Sequence, residues 1–216
     1  MDLQLRYCTI QNIPKTPIPL QLASAGSIAN TATIRNSINT KEVLIIGDSN
    51  TKGLTSGKFS HKIRTEIVSS AFTCNDAKEL MAARSRKTYS AVVLHVGTNH
   101  VKQNTATTDD ITTQMCSTID SALNTFKDTK IVVSQIPPSD IKEVDLKVVA
   151  VNSQLQHFYQ NNKCVSFAQN YQLKTKTATG YKFLKDAYHV SDSGTKVLAA
   201  SIKNAVKDAF YNNNVE

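Results

Sequence analysis

Val43-Leu44-Ile45-Ile46-Gly47-Asp48-Ser49-Asn50 is the stretch whose reading decides the fold of this 216-residue chain. Four consecutive apolar residues, mostly β-branched, run straight into Gly-Asp-Ser. A continuous apolar run closed by a turn residue predicts a strand buried on both faces, as in a parallel sheet. A serine at the carboxyl end of such a strand sits on the rim where open α/β sheets bind ligands. If a helix follows, its N-terminus favours developing negative charge nearby. Taken alone, Gly-Asp-Ser is equally good turn chemistry at a strand end.

Working outward, the pattern repeats. Glu42–Gly47 is the first expected strand, followed by a helix candidate over Thr51–Arg64 and a short strand over Ile67–Phe72. Asp76–Arg84 has helical spacing, and Ala91–Val96 is a second buried apolar run, closed by Gly97. Thr108–Thr125 carries Ile111, Met115, Ile119 and Leu123 at steps of four, an apolar helical stripe. Lys130–Gln135 predicts a strand ended by Pro137-Pro138, Asp145–Gln160 a helix, Cys164–Ala168 a strand and Asp192–Tyr211 a last helix, capped by Ser191 or Asp192. Strands alternating with helices imply five parallel strands in a three-layer α/β/α sandwich with right-handed crossovers. The connection from about Gln169 to Val190 is too long to be idle in a compact domain. Residues 1–40, with Pro14, Pro17 and Pro19 and then a Ser/Ala/Asn/Thr-rich run, show no sustained period and predict a flexible segment or linker before a domain over 41–216.

Composition narrows the class. The formal net charge is +8 with five histidines left neutral, and the pI is near 9.3. Such a balance favours anionic partners, nucleic acid or anionic lipid, with Arg84-Ser85-Arg86-Lys87 and the set Lys174, Lys176, Lys182 and Lys185 as the densest clusters. No apolar run approaches the ~20 residues of a membrane span. Met1-Asp2-Leu3-Gln4 has no basic lead followed by an apolar stretch, so no secretory leader is expected. Cys8, Cys74, Cys116 and Cys164 are scattered without a Cys-x-x-Cys pair, which predicts free thiols in a reducing, cytoplasmic setting rather than a disulfide frame or a zinc site. No cofactor is expected, and Gly47–Gly53 lacks the Gly-rich pattern of a phosphate loop.

Three segments fall on one rim if the strands are parallel: Ser49, Gly97-Thr98-Asn99, and Asp186-Ala187-Tyr188-His189 just before the last helix. The set fits acyl transfer. A serine hydroxyl needs a base, and His189 can take its proton; Asp186, three residues earlier, can hold the imidazole Nδ1. The Asn99 amide and the Ser49 backbone N–H are suitable oxyanion donors. Asp48 is expected to fix the turn around Ser49. His95 is expected to be a packed core histidine, His61 and His157 to be helix-surface residues, and Cys74 to be a buried, inert thiol.

Gly47-Asp48-Ser49, Gly97-Thr98-Asn99 and Asp186-x-x-His189, in that order on an α/β pattern, resemble the SGNH (GDSL-type) hydrolases. The resemblance spans about Lys41 to the C-terminus. It implies the flavodoxin-like sandwich, a Ser49–His189–Asp186 triad, and an oxyanion hole with Ser49 and Asn99. The implied activity is a serine esterase acting on a small acyl ester, such as an acetyl ester of a sugar or lipid. The absence of Gly-x-Ser-x-Gly sets the chain apart from the α/β-hydrolases. One departure stands out. Where the family's second block supplies an oxyanion-hole glycine, this chain has Ala71-Phe72-Thr73-Cys74-Asn75-Asp76, so the Cys74 or Asn75 N–H has to serve. His100 also follows Asn99 where the family often has Asp, and Tyr188 precedes the histidine. The texture around Val93–Asn99 and His189–Gly194 resembles the esterase-like domains of non-LTR retrotransposon open reading frames. The departures motivate an alternative: an SGNH-fold module, catalytically weak or inactive, that binds nucleic acid or an anionic membrane.

Overall fold

The computed structural model describes residues 40–211. The segment expected over residues 1–40 therefore lies outside them, apart from its last residue, as does Cys8. Twelve strands and α-helices follow in chain order: β1 (Lys41–Gly47), β2 (Ile63–Val68), α1 (Cys74–Ala82), β3 (Ala91–His95), α2 (Thr98–Val101), α3 (Thr108–Thr125), β4 (Lys130–Ser134), α4 (Lys142–Tyr159), β5 (Val165–Ala168), β6 (Lys176–Thr177), β7 (Gly180–Tyr181) and α5 (Asp192–Tyr211).

The five main strands form one sheet in the order β2-β1-β3-β4-β5. Every pairing is parallel, with Ile45 opposite Ile67 on one side and Val93 on the other. The expected sandwich is thus present, with β1 and β3 central. Their runs are continuous because both faces are covered. Leu44, Ile46, Val92, Leu94, Ile131 and Val133 pack under α1, α3 and α4. Val43, Ile45, Ala91, Val93 and Val132 pack under α5, against Leu198 and Ile202. Each such buried aliphatic contributes about 1.5–3 kcal/mol relative to exposure.

The helix expected over Thr51–Arg64 does not form. Two short 3-10 turns, Ser49–Thr51 and Ser56–Lys58, occupy its first part, and its last two residues begin β2. Gly53 and Gly57, together with Thr51, Thr55, Ser56 and Ser60, weaken a helix here. Leu54 and Phe59 instead drop onto the α5 side of the sheet. The second strand consequently lies at Ile63–Val68, earlier than the expected Ile67–Phe72, because Ile63, Thr65 and Ile67 supply a β-branched alternation that pairs with β1. His61 falls in an exposed turn rather than on a helix, whereas His157 lies exposed on α4 as expected. The remaining long elements match within a few residues at their ends.

The connection after β5 is not structureless. It contains a 3-10 turn at Tyr171–Lys174 and the small antiparallel β6–β7 hairpin, and it closes through an antiparallel bridge between Leu184 and Val190. Ser191 then caps α5, its Oγ accepting the Gly194 N–H at 3.1 Å.

Candidate active site

β1 delivers Ser49. The Asp48 backbone N–H donates to the His95 carbonyl at 3.1 Å, tying the end of β1 to β3. The Asp48 carboxylate accepts the Asn50 N–H at 2.9 Å and so caps the turn that begins at Ser49. Asp48 is buried and fixes the turn, the role expected of it. Ser49 itself is half-buried, and among the described residues its hydroxyl has no hydrogen-bond partner.

The loop before α5 delivers His189. Its Nδ1 lies 2.9 Å from both carboxylate oxygens of Asp186. Asp186 Oδ1 also accepts the backbone N–H groups of Tyr188 at 2.9 Å and His189 at 2.8 Å. Burial pushes this carboxyl up, but the two N–H bonds and the imidazole outweigh it and hold the pKa at about 2. The group is therefore a carboxylate at neutral pH. With Nδ1–H donated to it, the lone pair of His189 sits on Nε2, which is the arrangement of a base.

Asn50 joins the two loops. Its Oδ1 accepts the Val190 N–H at 2.9 Å, and its Nδ2 makes long contacts of 3.5 Å to the Tyr188 carbonyl and to Thr98 Oγ1. The residues on both sides of His189 are thus held by the residue next to Ser49. The two side chains are not hydrogen-bonded to each other; contacts of this kind often tighten only when substrate binds. Two further ties hold the histidine loop: Ser139 Oγ donates to the Ala187 carbonyl at 2.8 Å, and Lys102 Nζ stands 4.5 Å over the Tyr188 ring.

Gly97 presents Asn99. Its φ is +113°, and a Cβ there would lie 2.7 Å from Ile136 Cδ1, so the turn from β3 into α2 requires glycine. Asn99 Nδ2 donates to the Phe72 carbonyl at 2.9 Å, which leaves its second amide hydrogen for a ligand. Phe72 lies in the loop between β2 and α1. That loop is pinned to β1 by the Ala71 N–H on the Gly47 carbonyl at 3.0 Å, and to the serine turn by Thr51 Oγ1 on Ser69 Oγ at 2.9 Å. Thr73 and Asp76 close a capping box on α1. The Cys74 and Asn75 N–H groups are the first two of that helix and have no intrahelical acceptor. The Cys74 side chain is buried and its thiol pKa is raised by that burial, so it is the inert thiol expected. A cavity of about 320 Å³, lined by Ser70, Phe72, Asp76, Glu79 and Leu80, opens beside this loop.

Below the rim runs a buried polar chain. His95 Nδ1 lies 2.8 Å from Ser134 Oγ, and its Nε2 is 3.8 Å from Asp48 Oδ1. Ser134 Oγ accepts from Asn170 Nδ2 at 3.3 Å. His95 is a packed core residue, as its position inside a strand predicts. Burial lowers its pKa, against a smaller upward pull from Asp48; burial also lowers that of His100. An unfolded histidine binds a proton near pH 6.5, before these folded ones do. Folding stability from these groups is therefore present above about pH 6.5 and lost as pH falls below it. The melting temperature should drop between about pH 7.5 and 5.5, and by less in His95→Gln. An equal drop in both proteins would exclude His95 as a source.

Among the described residues no group of three His, Cys, Asp or Glu side chains is arranged to hold a metal ion. Among the site residues, sequence reasoning missed Asn50, Lys102 and Ser139. Asn50 reads as one more turn residue, and the partners of all three are 48 to 140 positions away or, for Lys102, on a different loop.

No protein-family model and no curated protein matches the chain. Solved structures do. A lipolytic protein of the G-D-S-L family from Veillonella parvula superposes with a TM-score of 0.63 at 15% identity, over 76% of this chain and 96% of that one. A GDSL-like lipase from Bacteroides thetaiotaomicron gives 0.60 at 21% identity, over 78% and 89%. A carbohydrate esterase of family 3 from Talaromyces cellulolyticus gives 0.54 at 17% identity, over 78% and 99%. The five-stranded parallel sandwich of this chain is the fold of the GDSL (SGNH) hydrolases.

Proposed function

We propose that the chain is a serine ester hydrolase in which Ser49 is the nucleophile, His189 the general base and Asp186 the group that orients it. The observation that carries this reading is the Asp186–His189 pair held against the Ser49 turn through Asn50. His189 Nε2 takes the Ser49 proton as Oγ attacks the ester carbonyl. Asp186 stabilises the imidazolium that forms. The proton then passes to the leaving alcohol, and water repeats the sequence on the acyl-enzyme. Negative charge on the tetrahedral oxygen is met by the Ser49 N–H, the Asn99 amide and the Cys74 or Asn75 N–H. Each such donor is worth about 2.7–4 kcal/mol in the transition state.

The substrate is a small acyl ester, such as an acetyl ester. The names of the neighbours, lipase and carbohydrate esterase, support an ester. The exposed Phe72 and the cavity beside it are where one side of that ester would lie. The test is labelling by a fluorophosphonate probe with the modified residue mapped. Modification at Ser49 that vanishes in His189→Ala is expected. No labelling, or labelling elsewhere, would replace this reading by that of a non-catalytic binding module.

A further inference from the structure

The carboxyl end of β5 carries a second cavity, on the opposite edge of the sheet from β2. Its volume is about 250 Å³, and its lining includes Gln169, Asn170, Tyr171, Gln172, Ser201 and Asn204. No charged side chain lines it. Asn170 is only 2% exposed, and its Nδ2 is spent on the Gln135 carbonyl at 2.6 Å and on Ser134. Its Oδ1, like Gln169 Oε1, is buried without a hydrogen-bond partner. Buried acceptors of this kind are normally satisfied. The two residues that carry them line a space that a flat ligand carrying N–H groups could enter. At the rim stands Tyr171, 64% exposed, with Lys174 over its ring.

The chain then turns into the β6–β7 hairpin, where the chemistry changes to positive charge. Lys174 Nζ is 6.0 Å from the Tyr171 ring centroid, Lys176 Nζ 4.8 Å from that of Tyr181, and Lys182 Nζ 5.4 Å from that of Phe183. Among the described residues none of these lysines has a carboxylate at ion-pair distance. Asp140 accepts the Tyr181 N–H and Asp145 the Tyr181 hydroxyl, each at 2.8 Å. Unpaired cations seated on neighbouring rings are what a phosphate backbone needs. An amide-lined slot beside an exposed aromatic ring is what a splayed base needs. A neutral sugar would fill the slot but leave the lysines unexplained. A duplex keeps its bases stacked inside and could not use the slot.

We infer that this edge binds single-stranded nucleic acid, one base stacking on Tyr171 and entering the Gln169–Asn170 slot while Lys174, Lys176 and Lys182 take the flanking phosphates. The site is separate from the proposed ester chemistry and stands or falls without it.

The experiment is fluorescence anisotropy of the full chain with a labelled oligouridylate of about 20 nucleotides, titrated with salt. Saturable binding is expected, with affinity falling steeply as salt rises. Tyr171→Ala, at an exposed position, should weaken it by ~5–100-fold. Replacing Lys174, Lys176 and Lys182 together by Gln should reduce the salt slope by about 2. A duplex of the same length should bind more weakly. Ester hydrolysis, followed in parallel, should be unchanged in both variants. No binding at low salt, or equal binding by wild type and Tyr171→Ala, would overturn the inference. So would duplex binding as tight as single-strand binding, or capture by phosphatidylserine vesicles with no binding of the oligonucleotide.

Discussion

Ser49→Ala should lower kcat for a short-chain chromogenic ester by at least ~10⁴-fold, with KM and melting temperature nearly unchanged. The size follows from chemistry. With no hydroxyl there is no acyl-enzyme, and the remaining oxyanion donors can only assist direct attack by water. Stability should hold because the lost atom makes no hydrogen bond and sits on a half-buried side chain. The same rate in wild type and variant would show that whatever hydrolysis is seen does not pass through Ser49. A companion His189→Ala should fall by a similar factor, not by the product of the two, because nucleophile and base act as one unit.

The second large effect belongs to a residue that touches no reacting atom. Asn50→Ala should lower kcat by about 10²-fold, since a displacement of about 1 Å in a reacting group is enough for that. It also strands the buried Val190 N–H and loosens the Tyr188 carbonyl, which should destabilise the fold by about 1–3 kcal/mol. Asn50→Asp separates the two roles. It keeps an oxygen for the Val190 N–H but loses the donor to Tyr188 and Thr98, so stability should recover further than kcat. Measured well below the melting temperature, an unchanged kcat in Asn50→Ala would mean that the histidine loop is positioned by Ser139 and Lys102 instead.

Much of this was legible in the chain itself, for physical reasons that differ by element. β1, β3 and β4 were readable because both faces of a central strand are covered, which forces an unbroken apolar run. α3 was readable because one apolar stripe faces the sheet and Thr107 supplies a clean cap, with a capping box to Asp110. The stretch from Thr51 to Arg64 misled because Leu54, Phe59 and Ile63 have near-helical spacing, yet Leu54 and Phe59 join the core on the α5 side from irregular backbone and Ile63 from the start of β2. β6 and β7 are two residues each, too short to carry a period. Ser49, Asn99, Asp186 and His189, the residues of the proposed site, stand out in the sequence as residue types suited to one reaction at the ends of ordered segments. Asn50 was not, because its meaning lies in partners that only the folded chain brings near.

The Asn50–Val190 bond closes a span of 140 positions. During synthesis the serine turn emerges long before the stretch that carries the imidazole. A nascent chain cannot therefore bring the proposed nucleophile and base together until the stretch through Val190 has been made. Premature termination anywhere ahead of His189 would leave the Ser49 hydroxyl without the base proposed for it.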